Sequence, residues 1–386
     1  MSNQPVIVAV AYRRAYSLKR LLSSLSNAHY ESNDITLIIS IDHHPDNGDV
    51  VKVAEDFKWE YGTKIVKTHS CNLGLKAHIL ECGDYAFQYG SVIILEDDEI
   101  VAPSFYEYTK TAHEFYDCDS RIAGISLYLH EWNMYAGKRF QPLRTQGDVF
   151  FGQFFITWGQ SWSADQWRGF KEWLADNPEI CRDHLMPSPI YGWNKSWGKF
   201  FTRYLIETEK YYVIPRKPVT TVYGEAGTHY KRIQYEVQTP LYLGNEKFNF
   251  LPFEDGCHYD LFFENIDIRR MLAEWLGCSE NEVYMDLYET PHKEYVGAKY
   301  VLTTKQLKKA IVKTYELNLR PHESGVLFDM PGDGIYLYNM NSTDNSEKNK
   351  KNQERIFFDL GGIKGADALR YGICHCIRVI KDSVKR

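Results

Sequence analysis

No stretch of the 386 residues approaches the ~18 consecutive apolar side chains from which a membrane-crossing helix is built. The opening MSNQPVIVAVAYRR also lacks the charged start, long apolar run and small-residue cleavage site of a secretion signal, so the expected location is cytoplasmic, at most at the inner face of the plasma membrane. A surplus of positive charge is missing too: a net charge of −6 and a pI near 6.1 offer nucleic acid no global attraction, and no nucleic-acid partner is expected. Eight cysteines are scattered without metal-type pairs; Cys374 and Cys376 stand one residue apart in a helical pattern and point in different directions. Reduced structural thiols follow from that spacing. Finally, no GxGxxG follows the first apolar run and no GxxxxGK[ST] occurs, which argues against dinucleotide oxidoreductases and ordinary kinases.

What is present is a repeated alternation of strand and helix. Val6 to Tyr12 reads as a strand buried on both faces, and Leu18, Leu21, Leu22 and Leu25 then recur at helical spacing. Thr36 to Ile41 is a second strand, Val50 to Phe57 a helix, Lys64 to Lys67 a short strand, and Lys76 to Tyr89 a helix. Ser91 to Phe105, SVIILEDDEIVAPSF, joins a buried strand directly to Glu96, Asp97, Asp98 and Glu99. The pattern predicts an α/β chain with a mostly parallel sheet flanked by helices, and a parallel sheet brings its carboxyl strand ends to one edge. Arg13, Asp42, the Asn72 to Lys76 loop and the acidic run all follow strand ends, so they can converge there.

Several carboxylates at such an edge suit a hard divalent cation, Mn²⁺ or Mg²⁺, and with it a diphosphate. The same run also reads as a solvated turn, with Glu99 ahead of the helix that begins near Pro103. Arg13 can bind a diphosphate through its guanidinium or be a surface arginine; Asp42 can bond a base or ribose or simply form a turn; Lys76 can offset phosphate charge or be solvated.

Aromatics make up 15% of the chain and cluster in Phe150 to Leu174 and in Tyr191 to Phe201. Trp167, Phe170 and Leu174 have helical spacing and read as core, whereas Trp158 and Trp162 precede that helix in a loop, where a sugar-facing role suits them better. Gly224, Glu225, Gly227 and His229 make a polar loop after a strand; His229 can be a metal ligand or an ordinary loop histidine.

These segments together resemble a nucleotide-sugar glycosyltransferase of the GT-A (Rossmann-like) type, in the branch around N-acetylglucosaminyltransferase I and its bacterial relatives in surface polysaccharide synthesis. EDDEIVAPSFYEY is similar to the branch's Glu-Asp-Asp motif and its VAPxFxxY tail, TWGQSWSADQW to WGWATWxxxW, WNKSW to WDxxW, and GEAGTHY to G-x-x-x-TH. The resemblance spans about Val6 to Tyr230. It implies that Arg13 contacts the donor diphosphate, Asp42 reads the uracil, Glu96 and Asp97 contact the donor, and Asp98 binds the metal; Lys76 is a looser placement on the donor side. The loop residue His229, read by itself, is a second metal candidate or a phosphate contact. The implied reaction is inverting transfer of a sugar from a UDP-sugar to a glycan or lipid-linked glycan acceptor, with a carboxylate as base. Here the chain departs from the pattern, because the motif's aspartate is Asn194. Asp165, then Asp183 and Glu225, are the substitutes. A nucleotidyltransferase that makes the nucleotide sugar, and a weakly active glycan-binding protein on the same fold, are the alternatives.

The division expected is a catalytic domain over 1–235 and a smaller α+β C-terminal region over 236–386, on the acceptor side or for interaction. Within the latter, Tyr300 to Thr304 reads as strand, Thr304 to Leu317 as helix, and the polar 341–352 as a mobile loop. From Lys364 to Arg386 six basic residues stand against two acidic ones, with Leu369, Ile373, Ile377 and Ile380 at helical spacing. Such a basic amphipathic helix either lies peripherally on an anionic membrane or packs on its own domain.

Overall fold

The computed structural model describes residues 4–154, 156–193, 196–225, 233–245, 247–343 and 353–384. The first half alternates strand and helix: β1 (Val6–Ala11), α1 (Ala15–Ser26), β2 (Leu37–Ile41), α2 (Gly48–Asp56), β3 (Lys64–Thr68), α3 (Leu75–Gly83), α4 (Tyr85–Tyr89) and β4 (Ser91–Glu96). Next come β5 (Glu99–Val101), α5 (Phe105–Tyr116), β6 (Ile122–Ser126), the short hairpin β7 (Trp132–Asn133) and β8 (Lys138–Arg139), β9 (Val149–Gly152), β10 (Gln160–Ser163) and α6 (Ala164–Asp176). α7 (Ser188–Tyr191), α8 (Trp197–Glu207), β11 (Tyr211–Pro215), β12 (Thr220–Val222) and β13 (His258–Tyr259) complete the larger layer.

Nine strands form one mixed, mostly parallel sheet in the order β13-β9-β11-β6-β10-β4-β1-β2-β3. β3, β2, β1 and β4 run parallel to one another, while β10 lies antiparallel between β4 and β6. Side-chain alternation divides the core in two. Val6, Val8, Val10, Val92 and Ile94 face the layer holding α3, α6 and α8, and Ile7, Ala9, Ala11, Ile93 and Leu95 face the layer holding α1, α2 and α5. Both faces being covered explains why these strands are unbroken apolar runs.

The helix expected over Lys76 to Tyr89 is two, divided at Asp84, whose carboxylate accepts the indole N–H of Trp167 at 2.8 Å. A Cβ on Gly83 would sit 2.1 Å from the Trp167 ring, so this close crossing of α3 by α6 admits only glycine. Because β13 pairs with β9, the large sheet takes a strand from beyond residue 235.

The C-terminal region comprises α9 (Ile266–Leu276), β14 (Val283–Asp286), β15 (Tyr300–Thr303), β16 (Ala310–Tyr315), α10 (Ser324–Leu327), β17 (Ile335–Asn339), α11 (Gln353–Leu360) and α12 (Gly365–Val384). Its four-stranded sheet has the order β14-β15-β17-β16 over a core that includes Leu272, Met285, Leu302 and Leu337. The helix predicted over Thr304 to Leu317 is therefore a strand, β16, paired antiparallel with β17. The β-branched Ile311, Val312 and Thr314 favour that state once β17 offers an edge. Of the expected loop 341–352, the part after residue 343 lies outside the described residues. All eight cysteines are free thiols. Among the described residues no helix is long and apolar enough to cross a membrane.

Candidate active site

The carboxyl ends of β1 and β4 lie side by side, Val10 opposite Glu96, so the residues that follow each strand meet. Arg14, at the entry to α1, pairs with Asp97 and with Asp98, the latter at 2.9 Å from Nη1 to Oδ2. Burial opposes the guanidinium's charge, but the two aspartates outweigh it and raise its pKa. The partly buried Glu96 is pushed up to about 8, by burial first and then by the charges of Asp98 and Asp97. Burial lifts Asp97 to about 6 against the pull of Arg14. Arg13, the arginine singled out from the sequence, is instead exposed beside Tyr12. Two adjacent arginines leave a strand in different directions, and the sequence does not say which one turns toward the acids.

Glu99 is fully buried, and its Oε1 accepts the Glu96 N–H at 2.9 Å. Burial, then repulsion from Glu96, raises its pKa well above the carboxylate range. The expectation that it serves the following helix is corrected: α5 begins only at Phe105, and Glu99 folds back to fix the acidic turn. β5 pairs with β12, and Tyr223 N–H donates to the Asp98 carbonyl at 2.8 Å, which draws the loop after β12 against the turn. Glu225, on that loop, accepts from Ser17 Oγ at 2.5 Å and Arg20 Nη1 at 2.8 Å. The Arg20 bond is the main reason its carboxyl stays below the usual range.

Asp42 is buried behind β2, and its carboxylate accepts three backbone N–H bonds, from His43 and Leu73 at 2.8 Å and Gly74 at 3.0 Å. Gly74 has φ 75°, a left-handed conformation that presents its N–H to the aspartate at no steric cost. Asp42 thus shapes the Asn72 to Lys76 loop. Lys76, on the first turn of α3, lies over the Phe200 ring of α8 at 3.6 Å; burial and then Lys199 lower its pKa.

The substitutes for a base are dispersed. Asp165 is on the first turn of α6, after a strand whose Ser163 pairs with Ser91, the start of β4. It therefore sits at the opposite edge of the sheet, about 17 Å of strand away from Glu96, and bonds Arg168 on the surface. Asp183 lies between α6 and α7, accepts Tyr191 Oη at 2.6 Å and pairs with Arg203. It lines a polar cavity of about 170 Å³ with Arg182, His184 and His292. Burial opposes its charge, but the bonds from Tyr191, Leu185 N–H and Arg203 hold its pKa low. His229 and Asn194 lie outside the described residues.

Trp162, expected to face sugar, is fully buried among Trp167, Trp197 and Phe201, because the register of β10 turns it into the core. Trp158 is half-buried, edge-on to Tyr128 and His130, ahead of the residue that pairs with Ile94 near the carboxyl end of β4.

Among the described residues no three His, Cys, Asp or Glu side chains are arranged to hold a metal ion by themselves. Asp98 Oδ1 nevertheless is buried with no hydrogen-bond partner among the described residues, and one such hard oxygen fits a cation whose remaining ligands are phosphate oxygens and water.

No family model matches the chain. Solved structures that resemble it include S. aureus TarS 1-349 (13% identity, TM-score 0.36, 56% of this chain and 59% of that one). Another is the mannosyltransferase PcManGT of Pyrobaculum calidifontis in complex with GDP-Man and Mn²⁺ (10% identity, TM-score 0.32, 56% and 58%). In sequence, the chain is 29% identical over 138 residues to an alpha-1,3-mannosyl-glycoprotein 2-beta-N-acetylglucosaminyltransferase of Arabidopsis thaliana. That stretch covers 31% of this chain and 29% of the plant protein, so the chain spans under a third of that relative and is similar to a glycosyltransferase over that part.

Proposed function

We propose that the protein is a metal-dependent, inverting glycosyltransferase that moves a sugar from a UDP-sugar to a hydroxyl of a glycan acceptor in polysaccharide synthesis. The observation that carries this reading is the meeting of Arg14 with Asp97 and Asp98 at the carboxyl ends of β1 and β4, the crevice where open α/β sheets take ligands. The partial likeness to an N-acetylglucosaminyltransferase supports the transfer of a sugar to a glycan.

Arg14 stands against two aspartates, which leaves a surplus of negative charge that a divalent cation can offset, and an arriving diphosphate can take the guanidinium, whose fork matches phosphate oxygens. Asp98 would hold a divalent cation, Mn²⁺ or Mg²⁺, which when bound would supply positive charge to the departing diphosphate. Glu96 and Asp97 face the donor, and the loop ordered by Asp42 forms the nucleoside side. Trp158 offers a flat apolar wall with a polar edge, suited to a sugar ring. Inversion requires a carboxylate to take the acceptor's proton. Glu225 is the candidate closest in the chain's contacts to the acidic turn, and Arg20 keeps it ionised.

Isothermal calorimetry with UDP and UDP-sugars, with and without Mn²⁺, tests the reading. Binding that strengthens with metal and is lost in Asp98→Ala is expected. Absence of any metal-dependent uridine-nucleotide binding overturns it. Donor binding with neither transfer nor hydrolysis favours the glycan-binding alternative.

A further inference from the structure

The two C-terminal helices do not bury their apolar faces. α11 is fastened to the domain: the buried Arg355 donates to the Leu287 carbonyl at 2.8 Å and to Asp359 at 2.9 Å, and Arg320 lies over Phe358. Its outer side, however, exposes Ile356, Phe357 and Leu360, and Ile363 in the following turn is exposed as well. α12 continues this with Leu369, Ile373, Ile377 and Ile380, whose exposures run from 48% at Ile377 to 67% at Leu369. At the helical spacing of α12 these four share one stripe. Packing on its own domain, the simpler expectation for this helix, is therefore not what the chain does.

Charge identifies what covers the stripe. Arg370 is exposed at the flank of the stripe and Lys364 and Arg378 are exposed elsewhere on the same segment; the sequence adds Lys381, Lys385 and Arg386 against only Asp367 and Asp382, in a chain whose net charge is −6. A second copy laid stripe to stripe would bring together two segments that each carry the same surplus of positive charge. An anionic bilayer supplies hydrocarbon for the isoleucines and phosphate for the arginines at the same time. We infer that the α11–α12 segment is a membrane-docking surface that lays the chain on an anionic lipid bilayer without crossing it. This does not rest on the transferase reading, and its test uses no sugar nucleotide.

The full chain is sedimented with vesicles of phosphatidylcholine alone and of phosphatidylcholine mixed with phosphatidylglycerol. Wild type is expected to bind the anionic vesicles at least about tenfold more tightly than the neutral ones, and to release in high salt. Ile373→Asp with Ile377→Asp should abolish binding, and Arg370→Glu with Arg378→Glu should remove the preference for anionic lipid. All four positions are exposed, so thermal unfolding should be unchanged. Failure to bind anionic vesicles overturns the inference. So does a dimer by light scattering that the isoleucine variant turns into monomer, since the stripe would then be covered by a second copy.

Discussion

At the scale of single residues, one arginine decides the electrostatics of the site. Arg14, not its neighbour, holds both aspartates, so the two arginines should differ sharply on substitution. Arg14→Ala is expected to weaken nucleotide-diphosphate binding by about tenfold or more, the size of a lost charge-assisted contact, while Arg13→Ala stays within about twofold. Calorimetry on the two variants separates them; equal losses would mean that Arg14 does not face the diphosphate. Glu225 illustrates a second residue-scale point. Its partners Ser17 and Arg20 are on α1, the helix that follows Arg14, so one helix braces both the cation and the carboxylate of the candidate site.

At the scale of elements, the Asn72 to Lys76 loop depends on an aspartate from another segment. Asp42→Asn leaves an amide where three backbone N–H groups converge, and the replacement should cost about 1–3 kcal/mol of stability. Hydrogen exchange at Leu73 and Gly74 is the local measure: if those amides stay as protected as in the wild type, Asp42 does not order the loop. β1, β2, β4, α1 and the acidic strand end were legible in the sequence, because doubly covered strands are pure apolar runs and α1 repeats leucine at helical spacing. What was not legible depends on partners distant in the chain. β16 is a strand because β17 pairs with it, Trp162 is core because β10 runs antiparallel to β4, and that same reversal carries Asp165 to the wrong edge for a base. Nothing local to WSADQW encodes the direction of β10. Glu99 is similar: its role is set by a bond to Glu96 within a turn whose shape β12 imposes.

At the scale of the whole molecule, buried carboxyls in both parts of the chain make stability depend on pH, and the C-terminal region adds to what Glu96, Asp97 and Glu99 contribute. Glu264 is buried, its Oε2 without a partner among the described residues, and burial, moderated by Lys293 and reinforced by Asp286 and Asp260, pushes it up to about 8 from 4.5. Its contribution to stability is full below the unfolded value and is lost as pH rises through the folded one. Glu323, raised by burial to about 7, acts in the same direction. The buried His322, whose pKa is lowered, acts oppositely: its contribution is full above 6.5 and is lost as pH falls. Melting of the wild type should therefore decline between about pH 5 and about pH 8, and Glu264→Gln should flatten the decline. Glu96, Asp97, Glu99 and Glu323 leave a decline in the variant too, so the measure is the difference in slope, and a Glu264→Gln slope equal to that of the wild type would show that Glu264 ionises freely in the fold.

The antiparallel insertion of β10 also sets an order of events during synthesis. β1 to β4 form a parallel unit that can assemble as soon as Glu96 has left the ribosome, but its β4 edge, all apolar apart from the terminal Ser91 and Glu96, then has no neighbour. The next partner is not the following strand but β10, and β6 cannot join before it. Until Gln160–Ser163 emerges, the growing chain carries an open, sticky strand edge, so premature termination anywhere between the acidic motif and β10 yields a fragment prone to pair with its own kind.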